Sequence, residues 1–280
     1  MRWTAQGVKN LRRTARNAKR KVKKFIRHGD RDERLVNFLI CGTQKGGTTT
    51  LNCYLREHPE ICVAEKKEVH FFDDEAYFRG KTPDYAEYHS FFSPQSRHRL
   101  VGESTPEYMY FHDAPRRIWE YNPDMKIIVV LRNPIERAYS HWNMEYSRKM
   151  ETLPFWDAIR SEPERCRQVL PLQHRFHSYI DRGFYLEQLR RLWFYFSKQR
   201  VLALKSEYLR DHPADALGEI CEFLGVAPYE RIVPKTLHAR PYVSKMDERE
   251  RDYLRYVFEH EIRGLERALG WDCSNWLAAG

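Results

Sequence analysis

The chain has 280 residues, and with 42% of them hydrophobic it has enough material for one core of mixed α/β type. It has no apolar run of about 18 residues, which excludes a membrane-spanning helix. It also has no signal-peptide core. Its six cysteines show neither C-x-x-C pairs nor zinc spacing with histidine, so we expect reduced packing residues in a cytoplasmic protein.

The net charge of +9 comes from the start of the chain. Residues 1–34 carry 13 Lys and Arg against 3 Asp and Glu, which leaves 35 against 36 in residues 35–280. Residues 1–34 are predicted to form a basic amphipathic helix that contacts an anionic membrane surface, an acidic polymer or a partner helix; a frayed basic tail is the equal alternative. Residues 35–280 are predicted to form a single domain. Apolar residues recur at helical spacing within the basic segment: Val8, Leu11, Ala15, Ala18, Val22 and Phe25.

A strand, a glycine-rich loop and a helix follow the basic segment. Val36–Cys41 is an apolar strand, and Thr48–His58 is a helix that ends before Pro59. Between them, the loop turns backbone N–H groups toward an anion at the helix N-terminus. The sequence therefore predicts a phosphate-binding loop and a bound nucleotide.

The position of Lys45 indicates which nucleotide binds. In the G-x-x-x-x-G-K-[ST] loop the lysine follows the last glycine, whereas here Thr48 holds that position after Gly47, and Lys45 lies inside the loop. A lysine at this place lies beside the inner phosphate and its bridging oxygen. This favours a donor with one 5′ anhydride over a triphosphate with Mg²⁺, although a glycine turn with a solvated lysine remains an alternative.

The next polar cluster is Glu68-Val69-His70-Phe71-Phe72-Asp73. In an extended segment, Glu68 and His70 would point to the same face. A solvated Glu68, a core histidine and a turn cap at Asp73 are the structural alternatives.

Alternating strands and helices over the rest of the chain predict right-handed βαβ units and a parallel sheet. The apolar run Lys126–Leu131 is typical of a strand buried on both faces. The other predicted strands are Arg99–Gly102 and Val201–Lys205, and the predicted helices are Pro115–Tyr121, one from Pro134 to Met150, Tyr185–Phe196, Ala214–Leu224 and Met246–Leu269. Residues 74–98 and 148–178 are predicted to be variable loops that choose the acceptor.

Three polar features follow predicted strands: Lys45, the segment Glu103-Ser104-Thr105-Pro106, and Arg132. The carboxyl ends of parallel strands share one crevice, where ligands bind. Arg132 and Ser140 could share a dianionic phosphate; an ion pair of Arg132 with Glu136 is the structural alternative.

These motifs resemble those of the sulfotransferases that use 3′-phosphoadenosine 5′-phosphosulfate (PAPS). Lys45-Gly46-Gly47-Thr48 resembles their 5′-phosphosulfate loop, and Leu131-Arg132-Asn133-Pro134 with Ser140 resembles their 3′-phosphate motif. The Glu68–Asp73 segment is similar to the heparan-sulfate-type and bacterial carbohydrate branch. The resemblance implies a P-loop-like three-layer α/β fold with a central parallel sheet flanked by helices.

The resemblance also implies site roles. PAPS would be the donor and the bisphosphate PAP the product, with no metal. Glu68 would be the general base and Lys45 the group that stabilises the leaving phosphate, with His70 orienting the acceptor or Glu68, and Asp73 binding the acceptor. The residues implied in donor binding are Lys45, Gly46, Gly47, Thr48, Thr49, Arg132, Ser140 and Arg240.

One position departs from the pattern. Ser104 stands where animal relatives of this branch carry a lysine near the transferred group. Either Lys45 would act alone, or Lys66, Lys67 or His70 would substitute, or the acceptor would differ. The acceptor is expected to be a hydroxyl or amine of a glycan or glycolipid.

The alternatives are a small-molecule or lipid acceptor, an ATP-dependent P-loop kinase, and a non-catalytic nucleic-acid or membrane binder that uses residues 1–34. No specific nucleic acid is expected. We expect a cytoplasmic location with peripheral contact at the inner membrane surface.

Overall fold

The computed structural model describes residues 35–80, 82–233, 235 and 241–278. The basic segment 1–34 and Arg240, for which predictions were made, lie outside the described residues.

Five parallel strands form one sheet in the order β2-β3-β1-β4-β5. The first strand lies in the middle of the sheet, and the later strands lie on both of its sides. The strands are β1 (Phe38–Gly42), β2 (Ile61–Val63), β3 (Leu100–Ser104), β4 (Lys126–Leu131) and β5 (Val201–Lys205).

Helices connect these strands and close the described chain. The longest, α9 (Glu248–Leu269), begins with a capping box in which Asp247 and Glu250 exchange side-chain to backbone hydrogen bonds, and ends at Gly270 in the left-handed region. The helices are α1 (Thr48–Glu57), α2 (Tyr85–His89), α3 (Ala114–Tyr121), α4 (Pro134–Ser147), α5 (Phe155–Gln168), α6 (Tyr185–Tyr195), α7 (Ser206–Asp211), α8 (Pro213–Leu224), α9 (Glu248–Leu269) and α10 (Ser274–Leu277).

Both faces of the sheet are covered by helices. Along β4, Ile127, Val129 and Leu131 pack in one buried cluster, and Ile128 and Val130 pack in the other. The first cluster includes residues of α3, α4, α6 and α9, and the second includes residues of α1 and α8. This arrangement confirms the predicted three-layer α/β fold with a central parallel sheet.

Five of the strands and helices named above were absent from the sequence prediction: β2, α2, α5, α7 and α10. Strand β2 has only three residues, which is too short for a clear pattern. Helix α5 lies in the segment 148–178, which was predicted to be a loop. The sequence did not indicate this helix because Pro163 lies inside it and the polar Glu162 lies on its buried face. Glu162 is tolerated there because its carboxylate accepts hydrogen bonds from the backbone N–H groups of Ile180 and Asp181.

Among the described residues, none of the helices has the length and apolar character needed to cross a bilayer.

Candidate active site

The crevice of the sheet opens beyond the end of β1. The neighbours of β1 are β3 on one side and β4 on the other, and the chain order reverses there. Loops that leave neighbouring strands diverge at such a point and leave room for a ligand. The loop 43–47 leaves β1 at this place and leads directly into α1.

The conformation of this loop depends on its glycines. Gly47 has φ 99° and Lys45 has φ 72°, both left-handed, and the Gly46 N–H donates to the Thr43 carbonyl at 2.9 Å. A Cβ atom on Gly46 would lie 2.3 Å from the carbonyl oxygen of Val130. The loop therefore packs against β4 by backbone contact alone, and the first N–H groups of α1, which lack partners within the helix, begin directly behind it.

Substituting Gly46→Ala is expected to displace this loop, since the contact is with backbone that cannot rotate away. We expect a loss of about 1–3 kcal/mol in the free energy of unfolding and weaker nucleotide binding, measured by thermal unfolding and calorimetry. The matched control is Gly218→Ala in α8, where a Cβ meets no atom within 4 Å. If Gly46→Ala behaves like that control, the close packing of the loop is not important.

A cavity of about 530 Å³ lies at this crevice. It brings together residues that are far apart in the chain and that the sequence had singled out separately. Two of the predicted residues that the structure describes do not line the cavity: Gly46 is buried within the loop, and the Asp73 side chain is buried against His70. The predicted residues that line the cavity are Lys45, Gly47, Thr48, Thr49, Glu68, His70, Arg132 and Ser140.

Arg132 points into this cavity from the end of β4. Its guanidinium contacts the Lys45 carbonyl at 3.4 Å and the Tyr242 hydroxyl at 3.5 Å. The alternative of a pair with Glu136 is not observed, because Glu136 pairs with Arg251 at 2.8 Å. Within the described chain, Arg132 therefore keeps its charge uncompensated by a carboxylate, beside Ser140, which suits an anionic ligand.

Glu68 and His70 face the cavity, but for a different reason than predicted. They are not part of an extended strand: both have left-handed φ, 60° and 59°, while Val69, Phe71 and Phe72 are buried. The turn is held because the Glu68 N–H donates to the Ser104 carbonyl at 3.0 Å. The Glu68 side chain is 42% exposed and pairs with Lys67, so its carboxylate is accessible to a substrate.

The buried carboxylate of Asp73 binds the imidazole of His70. Its Oδ2 lies 2.9 Å from His70 Nδ1 and 2.9 Å from Arg175 Nη1, and its side chain has no exposed surface. Burial favours neutral His70, but the hydrogen bond and charge of Asp73, aided by Glu107 and opposed by Arg175, raise the pKa of His70 above its usual value. Asp73 was predicted to bind the acceptor; the contacts of its Oδ2 atom support a role in orienting His70 and Arg175.

Substituting Asp73→Asn is expected to lower the pKa of His70, because the charge that favours the imidazolium form is removed. The raised pKa means that His70 stays protonated to higher pH in the folded protein and loses its proton as the pH rises through that value. NMR titration of the imidazole measures this directly. Asp74→Asn, next in the chain, is the control and should leave the pKa of His70 nearly unchanged.

Four charged residues of the cavity were missed by sequence reasoning: Glu107, Glu145, Arg148 and Arg175. Arg175 donates to Asp73 and to Glu107, the latter at 2.6 Å, and Glu107 also accepts from Gln44 in the phosphate loop at 3.0 Å. Glu107 directly follows the Glu103–Pro106 segment, which was a usable signal. Arg175 comes from a segment without any motif, and only the fold brings it to the site.

The group of His70, Asp73 and Glu107 has donor atoms within 4.8 Å of one another, as a metal site would. The Nη1 atom of Arg175 contacts all three side chains. A guanidinium thus occupies the place where a metal ion would have to bind.

Glu103 was expected at the crevice but belongs to the core. It lies within β3, is fully buried, and accepts hydrogen bonds from Tyr88, Tyr108 and Thr105. Burial raises its pKa. Ser104 is likewise buried in β3, so the segment reaches the cavity only through Pro106 and the following Glu107.

Comparison with known proteins found similar sequences. A mouse bifunctional heparan sulfate N-deacetylase/N-sulfotransferase 3 is 32% identical over 207 residues, which cover 70% of this chain and 23% of that protein. The human heparan sulfate glucosamine 3-O-sulfotransferase 6 is 35% identical over 193 residues, covering 69% of this chain and 53% of that protein. The chain thus aligns with about a quarter and about half of these relatives' lengths.

A crystal structure of a sulfotransferase from Alicyclobacillus acidocaldarius has a TM-score of 0.76 and 29% identity, over 88% of this chain and 100% of that chain. The family model described as sulfotransferase domain matches residues 36–252, most of the chain. The resemblance inferred from the phosphate motifs is thereby confirmed, and the chain belongs to the sulfotransferase domain family.

Proposed function

We propose that the protein transfers a sulfuryl group from PAPS to a hydroxyl or amine of a glycan or glycolipid. The observation that carries this proposal is that one cavity is lined by Lys45 and Arg132 from the two phosphate motifs and by Glu68 and His70. The names of the relatives, which describe sulfotransferases of heparan sulfate, support a glycan acceptor. An acceptor that is a lipid or other small molecule is the alternative.

The donor site has the chemistry that PAPS requires. Arg132, beside Ser140, would hold the 3′-phosphate, and Lys45 with the backbone N–H groups at the start of α1 would hold the 5′-phosphosulfate. When bound, PAPS supplies an activated sulfuryl group next to a phosphate that leaves. Lys45 would neutralise the charge that develops on that phosphate.

The acceptor side of the cavity would remove a proton. Glu68 is accessible and would take the proton from the acceptor hydroxyl or amine as that group attacks in line with the leaving oxygen. His70, held by Asp73, would donate a hydrogen bond that orients the acceptor or Glu68. These assignments rest on the positions of the side chains around one cavity.

The test is calorimetric titration of the purified protein with adenosine 3′,5′-bisphosphate, with ATP and Mg²⁺ as the comparison. We expect micromolar binding of the bisphosphate, about 8 kcal/mol, and much weaker binding of ATP. Preference for ATP with Mg²⁺ would contradict the roles of Lys45 and Arg132 and favour a P-loop kinase. Binding of neither ligand would contradict nucleotide-dependent transfer.

We also propose a cytoplasmic location, with residues 1–34 binding an anionic membrane surface through their 13 basic residues. Deletion of residues 1–34 should abolish salt-sensitive binding to anionic vesicles while transfer to a soluble acceptor continues. Unchanged vesicle binding would contradict this role.

A further inference from the structure

A second cavity, of about 260 Å³, adjoins the catalytic one. The two cavities share Arg175 in their walls. An acceptor longer than one sugar unit, with its reacting group at Glu68, can therefore extend past Arg175 into the second cavity. This inference rests on the function proposed above.

Among the described residues that line the second cavity, carboxylates outnumber guanidinium groups by four to two. Both guanidinium groups are already engaged. Arg117, whose side chain is 4% exposed, pairs with Glu75 and lies 3.5 Å from Asp113, and Arg175 pairs with Asp73 and with Glu107. The carboxylates are those of Asp73, Asp74, Glu75 and Asp113, and the guanidinium groups are those of Arg117 and Arg175.

A buried acceptor atom without a partner gives independent evidence of a ligand. Asp73 Oδ2 binds His70 and Arg175, but Asp73 Oδ1 is buried and has no hydrogen-bond partner. Buried carboxylate oxygens normally have a donor. A hydroxyl or amine of a bound ligand would supply that donor, whereas a sulfate or carboxylate would be repelled.

The wall of the cavity also has an apolar part. The Arg175 guanidinium stacks on the Phe111 ring at 4.5 Å from its centre, and Leu172 is 50% exposed. Such surfaces pack against the apolar faces of sugar rings.

We propose that the second cavity is an acceptor subsite that takes a neutral or amine-bearing sugar unit, not a sulfated or carboxylated one. The reason is the kind of group left for a ligand: both guanidinium groups are paired, and Asp113 is paired with Arg116 as well. Among the described residues, the Asp74 carboxylate and Asp73 Oδ1 remain, and both only accept hydrogen bonds. Charge complementarity therefore selects against a polyanionic acceptor at this position.

The test is calorimetry on the protein saturated with adenosine 3′,5′-bisphosphate, using three tetrasaccharides of similar size. They are chitotetraose, which is neutral, its fully N-deacetylated form, which is cationic, and a heparosan tetrasaccharide, which is anionic. We expect the neutral and cationic compounds to bind at least about tenfold more tightly than the anionic one.

Tighter binding of the anionic tetrasaccharide would overturn the subsite proposal. So would the absence of binding by all three while the bisphosphate still binds, and that outcome would leave the donor assignment intact. Failure of the bisphosphate itself to bind would contradict the proposed function and the subsite with it.

The double substitution Asp74→Asn with Asp113→Asn links the preference to this cavity. Asparagine at position 74 can still accept the hydrogen bond from the Ala76 N–H that begins the following turn. We expect affinity for the cationic tetrasaccharide to fall at least about threefold, with bisphosphate affinity unchanged. Glu259→Gln, on the exposed surface of α9, is the control. Equal tetrasaccharide affinities in the double variant and the wild type would overturn the assignment.

Discussion

Replacing Glu68 by glutamine is expected to lower sulfuryl transfer by about 100-fold or more while affinity for the bisphosphate stays nearly unchanged. Glutamine keeps the size of the side chain but cannot accept the acceptor's proton. The Glu68 side chain is 42% exposed and pairs with the neighbouring Lys67, so its loss should not unfold the protein. Initial rates with an acceptor chosen by screening, together with calorimetry of the bisphosphate, measure the two effects separately.

Glu65→Gln is the matched control for this substitution. Glu65 is exposed three positions earlier and accepts a hydrogen bond from Ser93, so its replacement should change neither rate nor affinity. A collapse of bisphosphate affinity in Glu68→Gln would show that Glu68 supports the structure of the donor site and is not a base.

Replacing Lys45 by methionine is expected to lower transfer by about 100-fold to 1,000-fold, the range for removing one group that stabilises developing charge. It should also weaken bisphosphate binding, because the 5′-phosphate of the product loses the same cation. The fold should persist, since Gly46 and Gly47, which set the loop's packing, are unchanged. Rates, bisphosphate affinity and the melting temperature together check this expectation.

The control is Lys198→Met. Lys198 lies in the short helical turn before β5, at the amino ends of the strands, with its ammonium over the Trp193 ring at 4.7 Å. Transfer should be unaffected there. If Lys45→Met reduced transfer no more than this control, another cation of the cavity, such as Arg175 or His70, would carry the stabilisation.

Much of the sheet follows from local sequence. The strands Lys126–Leu131 and Val201–Lys205 have the predicted bounds. The first of them is a continuous apolar run, which is typical of a strand buried between two layers of helices. The start of α4 is equally local: Asn133 accepts from the Ile135 N–H, and Pro134 occupies the first turn. For the same reason, the loop that holds Lys45 and the position of Arg132 at a strand end were readable in advance.

The turn at Glu68 and His70 was not readable. Alternation of polar and apolar residues predicted an extended segment, yet Phe71 and Phe72 are adjacent and both buried. The chain achieves this with left-handed residues, which local propensity disfavours for Glu and His. Contacts with β3 and with the core supply the compensation, and no local pattern reports them.

The sequence therefore specified most of the elements, the phosphate motifs and the family, since each depends on residues close together in the chain. The tertiary structure decided which charges meet. Arg175 lies 102 positions from Asp73 and 68 from Glu107, yet its guanidinium binds both. Pairings of this kind depend on how separate elements pack on the sheet, and they determine the charge of the surface that an acceptor meets.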